Sequence, residues 1–169
     1  SSVFFRCVED SAETIMITDL QGKLTYVNPA WESVYEYKRT EVLGKTPNVI
    51  RSQHHEPEFY KKMWDQILNP QIGTWKGELV NRSKSGKEIP VLLSITPIKK
   101  DGGVRGYMGI ALDMREKKSM ESKIFHQDRL ASLGLLASGL AHEIGTPLAI
   151  IRGRAELMKN SNRGNAELV

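Results

Sequence analysis

The 169-residue sequence holds a single cysteine, Cys7. One thiol closes no internal disulfide, so a reducing compartment is the expected setting. Long hydrophobic runs are missing as well: nowhere do eighteen apolar residues follow one another, and no membrane-crossing helix is expected. The opening stretch SSVFFRCVEDSAE lacks the basic start and small-residue cleavage site of a secretory leader. Together these give a cytoplasmic expectation for the segment, with membrane anchoring elsewhere in a parent protein left open. Charge of one sign is barely in excess, since 24 Lys and Arg stand against 20 Asp and Glu for a formal +4. That balance is a solvated surface, and no nucleic-acid partner is expected. Neither G-x-x-x-x-G-K-S/T nor G-x-G-x-x-G occurs, so no glycine-rich phosphate cradle is present. What remains is 40% apolar and 26% charged, the balance of a globular chain with a real core.

The chain changes period near Met114. Before it, short apolar segments alternate with turn signals. ETIMITD and KLTYVN are β-rich and separated by LQG, where Gly22 can take positive φ. NPAWESVYEY and RTEVLG read as short helices, the second capped by Thr40 and ended at Gly44. EPEFYKKMWDQIL sets Phe59, Met63, Trp64 and Ile67 at helical spacing, with Pro57 near its start. TWKGELVNRS, EIPVLLSITPIKK and VRGYMGIALDM then read as three strands joined by KSGK and KDGG, turns that close antiparallel hairpins. The order predicts an α+β domain with its helices gathered on one part of one sheet.

After Met114 the only proline is Pro147. Leu133, Ala137, Leu140, Ile144, Leu148, Ile151, Ala155 and Met158 recur at steps of three or four, one continuous apolar stripe. A helix from Arg115 to about Asn160 would run roughly 65–70 Å at ~1.5 Å per residue. A domain of the preceding size cannot bury such a stripe, which asks for a partner helix, most simply a second copy. NSNRGNAELV reads as a loop and the start of a further element.

Within that helix, GLAHEIGTPLAI gathers the chemistry. On a helical wheel His142 lies roughly 140–200° from Ala137, Leu140 and Ile144, so it faces away from the stripe, and Thr146 shares its face. Glu143 is its neighbour in sequence. A carboxylate that accepts the Nδ1 proton leaves Nε2 as a free nucleophile of raised basicity. Pro147 removes the amide that would bond the Glu143 carbonyl and disfavours helix at Thr146, which predicts a kink over residues 143–147. The zinc pattern H-E-x-x-H fails, because position 146 is threonine.

The segment LASLGLLASGLAHEIGTPLAIIRGRAEL resembles the first dimerisation helix of sensor histidine kinases, whose phosphoacceptor box reads roughly H-E-I/L-x-T/N-P-L. The resemblance implies that His142 accepts the γ-phosphoryl of ATP and that Glu143 is its acid-base neighbour. It further implies that Thr146 positions water when the signal is reversed, and that Pro147 is the kink. Gly145 departs from the arginine or asparagine common at its place. Implied partners are a second copy through the long helix, a response-regulator receiver domain, and an ATP-binding domain that would hold ATP and magnesium. No such domain is recognisable in the sequence, so the chain is expected to be inactive as a kinase alone.

The first half resembles a PAS domain, through ITDLQGKLTYVNPAW, EVLGKTP, EPEFYKKMW, WKGELVNRSKSGK and SITPIKKDGGVRGYMGIALDM. DMREKK at 113–118 is similar to the family's exit motif, with Arg115 where threonine is usual. The implied fold is a five-stranded antiparallel sheet cupped by helices, followed by a long coiled-coil helix. The expected organisation is a sensor domain at 1–114, a coiled-coil linker at 115–130 and the truncated dimerisation helix at 131–169. No cofactor is assigned with certainty. The light-oxygen-voltage cysteine is replaced by Pro47, and His54 and His55 precede the long helix on which a haem ligand would stand. Similarity to flavin-binding redox sensors implies FAD contacts at Trp75 and Asn81. An unidentified small ligand and an empty, packed pocket are the other readings.

Overall fold

The computed structural model describes residues 2–167, and residues 162–167 by backbone alone. The chain divides into two units, Ser1–Lys118 and Ser119–Val169.

In the first unit the elements are α1 (Ser2–Glu9), β1 (Thr14–Asp19), β2 (Leu24–Val27), α2 (Pro29–Tyr35) and α3 (Arg39–Val42), then a 3₁₀ turn (Pro47–Ile50) and α4 (Pro57–Leu68). The long strands β3 (Trp75–Arg82), β4 (Glu88–Lys100) and β5 (Gly103–Asp113) follow. The five strands form one antiparallel sheet in the order β2-β1-β5-β4-β3. The expected α+β fold with a five-stranded sheet and flanking helices is therefore present. Both expected hairpins close, and Gly22 and Gly44 take φ of +79° and +83°.

Asn28 knots the start of the domain. It is fully buried, and its Oδ1 accepts the N–H groups of Ile15 at 2.9 Å and Trp31 at 3.0 Å. Its Nδ2 donates to the carbonyls of Val8 and Glu13. One side chain thus caps α2, with Pro29 at the first helical position, and ties β1 to the end of α1. Helix α2 then buries Trp31 and Tyr35 in a core shared with Leu24, Val27, Val42, Ile89, Val91 and Leu93.

Three expectations change here. Thr40 does not cap α3: the helix starts at Arg39, and Glu41 accepts the Lys38 N–H at 2.7 Å, so the cap sits two residues earlier. Helix α1 was not expected. It is held by Glu9, which accepts from the Tyr26 hydroxyl at 2.5 Å and from Arg39 at 3.0 Å, and by Phe5, whose ring meets Tyr26 edge-on. The third is NSNRGNAELV, where helix replaces the loop as far as Glu167; residues 168–169 lie outside the described ones.

Helix α5 (Arg115–Glu167) begins in the first unit and makes up the described part of the second. Its apolar stripe is uncovered, with Leu140, Ile144 and Leu148 each more than half exposed. By length and composition alone α5 is apolar enough to cross a membrane, with a mean hydropathy of 1.3 over its best window. This departs from the sequence expectation, which counted unbroken apolar runs. Counting runs misses a window whose few polar residues interrupt many leucines, alanines and isoleucines.

Candidate functional site

Two places carry functional side chains, one in each unit. The first is a cavity of about 290 Å³ inside the sheet-and-helix domain. Its sheet wall comes from Met16 and Thr18 of β1, Leu79 and Asn81 of β3, Leu93 and Ile95 of β4, and Tyr107 and Gly109 of β5. Its helical wall comes from Ile50 at the end of the 3₁₀ turn, from Arg51 just after it, and from Tyr60, Met63 and Trp64 of α4. The volume is at the small end for a ligand site, and the lining is largely apolar with a few polar groups.

The edge of β3 positions one side of this cavity. As an outer strand, β3 would leave backbone groups unpaired. The segment after the 3₁₀ turn covers them. Arg51 forms a bridge with Asn81, the Ser52 hydroxyl donates to the Val80 carbonyl at 2.8 Å, and the Val80 N–H donates to His55 Nε2 at 3.0 Å. His55 stacks on Phe59 at 4.2 Å and meets Tyr60 edge-on. Burial, and then the neighbouring His54, push its pKa below the ordinary value, which keeps Nε2 free to accept. The Arg51 guanidinium lies 3.6 Å over the Tyr60 ring.

Asn81 lines the cavity, where its Nδ2 donates to the Tyr35 hydroxyl at 3.0 Å; burial pushes that phenol up to about 12. Trp75 is not on the wall. Its ring meets Phe59 edge-on and lies against Gly77, where a Cβ would come within 2.8 Å of it. The two residues share a strand face but are six positions apart, about 20 Å along β3. No histidine lines the cavity, so an axial haem ligand is missing from its wall.

The second place is on α5. His142, Gly145, Thr146 and Ala149 line one shallow groove with Ala141 and Ile150. The helix runs unbroken through Pro147, so whatever bend the ring imposes is absorbed without interrupting it. The Thr146 hydroxyl donates to the His142 carbonyl at 3.1 Å, an i to i−4 bond beside the position where Pro147 withholds its own. His142, Glu143 and Gly145 are exposed, and among the described residues no hydrogen bond joins Glu143 to the imidazole.

The exit from sheet to helix is built on Asp113 and Arg115. The carboxylate accepts the Arg115 N–H at 3.0 Å and its Nη2 at 2.7 Å. Arginine in place of threonine therefore keeps a bond to the aspartate and adds an ion pair.

A PAS domain model matches residues 12–116, and the chain belongs to the PAS domain family. It is 28% identical over 123 residues, 72% of its length, to a nitrogen fixation regulatory protein of Klebsiella pneumoniae. It is 28% identical over 155 residues, 90% of its length, to the signal transduction histidine-protein kinase AtoS of Escherichia coli. The chain spans 24% of each of these relatives. Among solved structures, a PAS domain from Colwellia psychrerythraea superposes with a TM-score of 0.61 at 22% identity, covering 68% of this chain and 97% of that one. An RNA-binding light-oxygen-voltage receptor gives 0.64 at 23% identity, covering 78% of this chain and 37% of that one. These structural likenesses support the fold.

Proposed function

We propose that the chain is the sensory and phosphoacceptor part of a two-component histidine kinase. The carrying observation is the exposed groove on α5 that gathers His142 and Thr146, in a chain whose PAS domain and kinase relatives point the same way. A signal at the PAS domain controls ATP-dependent phosphorylation of His142, and the phosphoryl group passes on to a receiver domain. His142 Nε2 attacks the γ-phosphorus as the bond to the β,γ-bridging oxygen breaks and ADP leaves, while Glu143 accepts a hydrogen bond from Nδ1–H and steadies the positive charge the ring acquires. Nucleotide and magnesium are held by a separate ATP-binding domain. Thr146, its hydroxyl proton committed to the His142 carbonyl, keeps its lone pairs for a water that would hydrolyse the receiver's phosphoryl group. A second copy covers the α5 stripe.

The runner-up is a non-catalytic PAS module that binds a ligand and dimerises. Supplying an ATP-binding kinase domain in trans separates the two. Phosphorylation of the chain that disappears in His142→Gln supports the first reading; phosphorylation that persists removes His142 as the acceptor. FAD in the PAS domain, with Trp75 and Asn81 as its ring contacts, is a separate reading, tested by whether the purified chain shows a flavin absorption spectrum that bleaches with dithionite.

A further inference from the structure

The PAS cavity holds three polar groups without a protein partner. Thr18 is only 6% exposed, and neither its Oγ1 nor the buried Tyr60 hydroxyl makes a hydrogen bond. The third is Arg51. Its guanidinium is fixed over the Tyr60 ring, yet among the described residues no carboxylate pairs with it. Among the domain's other buried polar groups, Asn28 makes four hydrogen bonds and Ser52, Asn81 and Ser83 are each bonded, while Trp31 Nε1 and Arg39 Nε, away from this cavity, are unpartnered. What sets this cavity apart is that two unmet hydroxyls and an unpaired guanidinium line one enclosed space, where a ligand's acceptors can meet all three.

The lining also selects the ligand's charge. Arg51 is the one charged residue on the wall; no aspartate, glutamate or lysine stands there. A cationic ligand would find no counter-charge. A dianionic phosphate would find one cation where it needs more. A planar monocarboxylate matches a single guanidinium in charge and in its two-pronged geometry. The remainder of the wall, with Met16, Met63, Trp64, Leu93 and Ile95, suits an apolar body about the size of one ring system.

We propose that the cavity binds a small monocarboxylate with an apolar body, its carboxylate on Arg51 and its remaining polar contacts made by the Tyr60 and Thr18 hydroxyls. The same segment that carries Arg51 clamps the edge of β3 through Ser52 and His55, so occupancy would tighten that clamp. This inference rests on the sensory reading of the PAS domain and names what it senses.

The test is calorimetric titration of the whole chain with a panel of small aryl and alkyl monocarboxylates, each beside its primary amide. At least one acid is expected to bind about tenfold or more tightly than its amide, the gain of a charge-assisted bond. Arg51→Gln should erase that preference. Tyr60→Phe, which removes no protein hydrogen bond, should weaken the acid while leaving the fold intact. Acids that do not bind, acid and amide that bind equally, a preference that survives Arg51→Gln, or a flavin that co-purifies in the cavity would each overturn the proposal. His142→Gln should leave every titration unchanged, so a failed kinase reading and a failed ligand reading are told apart.

Discussion

The carboxylate of Asp113 holds Arg115 by both its backbone and its side chain, with the N–H at 3.0 Å and Nη2 at 2.7 Å. Asp113 ends β5 and Arg115 starts α5, so one ion pair is also the joint between sheet and helix. Met114 between them is buried, and its N–H donates to the Pro90 carbonyl at 2.8 Å. The sheet and the first turn of α5 are thus tied together through three consecutive residues.

Asp113→Ala should loosen that turn at a cost of about 0.5–2 kcal/mol, the range for a lost helix cap. The upper half of the range is unexpected, since Arg115 is 41% exposed and water screens the pair. Burial would raise the Asp113 carboxyl, but the Arg115 bonds and charge outweigh it and hold its pKa below 3.8. A depressed carboxylate contributes stability above its unfolded value and loses it as pH falls through the folded value. Amide exchange at residues 115–118 should therefore rise in Asp113→Ala at neutral pH, and the difference from wild type should vanish in strong acid.

Thr18→Val and Tyr60→Phe should each stabilise the unliganded chain, by up to about 1 kcal/mol, because each removes a buried hydroxyl that has no partner. Thermal melts of the empty chain check this. Destabilisation of similar size would mean that each hydroxyl is satisfied within the protein, and the case for unmet donors would fall.

His55 gives the β3 clamp a pH dependence. Its Nε2 accepts from Val80, and an imidazolium cannot accept. The groups facing it are His54 on its own segment, Phe59 and Tyr60 on α4, and the Val80 backbone on β3. Its folded pKa lies below 6.5, so the unfolded chain takes up the proton first. The contribution is complete above 6.5 and erodes as pH falls from there to the folded value. Exchange of the Val80 amide should accelerate over that interval in wild type, and His55→Ala should show fast exchange throughout.

Two glycines on β5 should respond very differently to alanine. A Cβ on Gly106 would stand 2.0 Å from the Thr18 carbonyl oxygen, which is backbone and cannot step aside. Gly106→Ala should cost more than about 2 kcal/mol and split β1 from β5 locally. At Gly109 the obstacle is the Met16 side chain at 2.8 Å, whose free end can turn away. Gly109→Ala should cost less than about 1.5 kcal/mol and reduce the cavity. Equal losses in urea melts would contradict the assigned close approach.

The sequence carried the local part of this fold well. Period-two strands, Ser-Gly and Asp-Gly turns and the α4 spacing are short-range signals, and each is found where it was read. Helix α1 was hidden because its anchors, Tyr26 and Arg39, are distant in sequence. Arg51, Tyr60 and Thr18 escaped notice for the same reason: a sheet ordered β2-β1-β5-β4-β3 brings together a cavity wall that no window of sequence displays. Of the two residues read from the motif, Asn81 lines the cavity, while Trp75, on the same strand face, packs against Phe59 beyond its wall. The outward face of His142 on α5 follows from helical periodicity, whereas its phosphoacceptor role comes only from the resemblance to the kinase helix.

That stripe yields the last prediction. Leu140, Ile144 and Leu148 are each 56–59% exposed on one face of α5, while His142 and Thr146 line the groove on another. If a second copy covers the stripe, each leucine buried there contributes about 1.5–3 kcal/mol to association. Replacing Leu140 and Leu148 together by lysine adds the cost of desolvating two like charges, and should shift a dimer to monomer at micromolar concentrations. Light scattering with size-exclusion chromatography measures this directly. Ala141→Ser, in the histidine groove, should leave the dimer intact. A dimer that survives both lysines would place the interface on some surface other than this stripe, and the route by which the PAS domain reaches His142 would have to be redrawn.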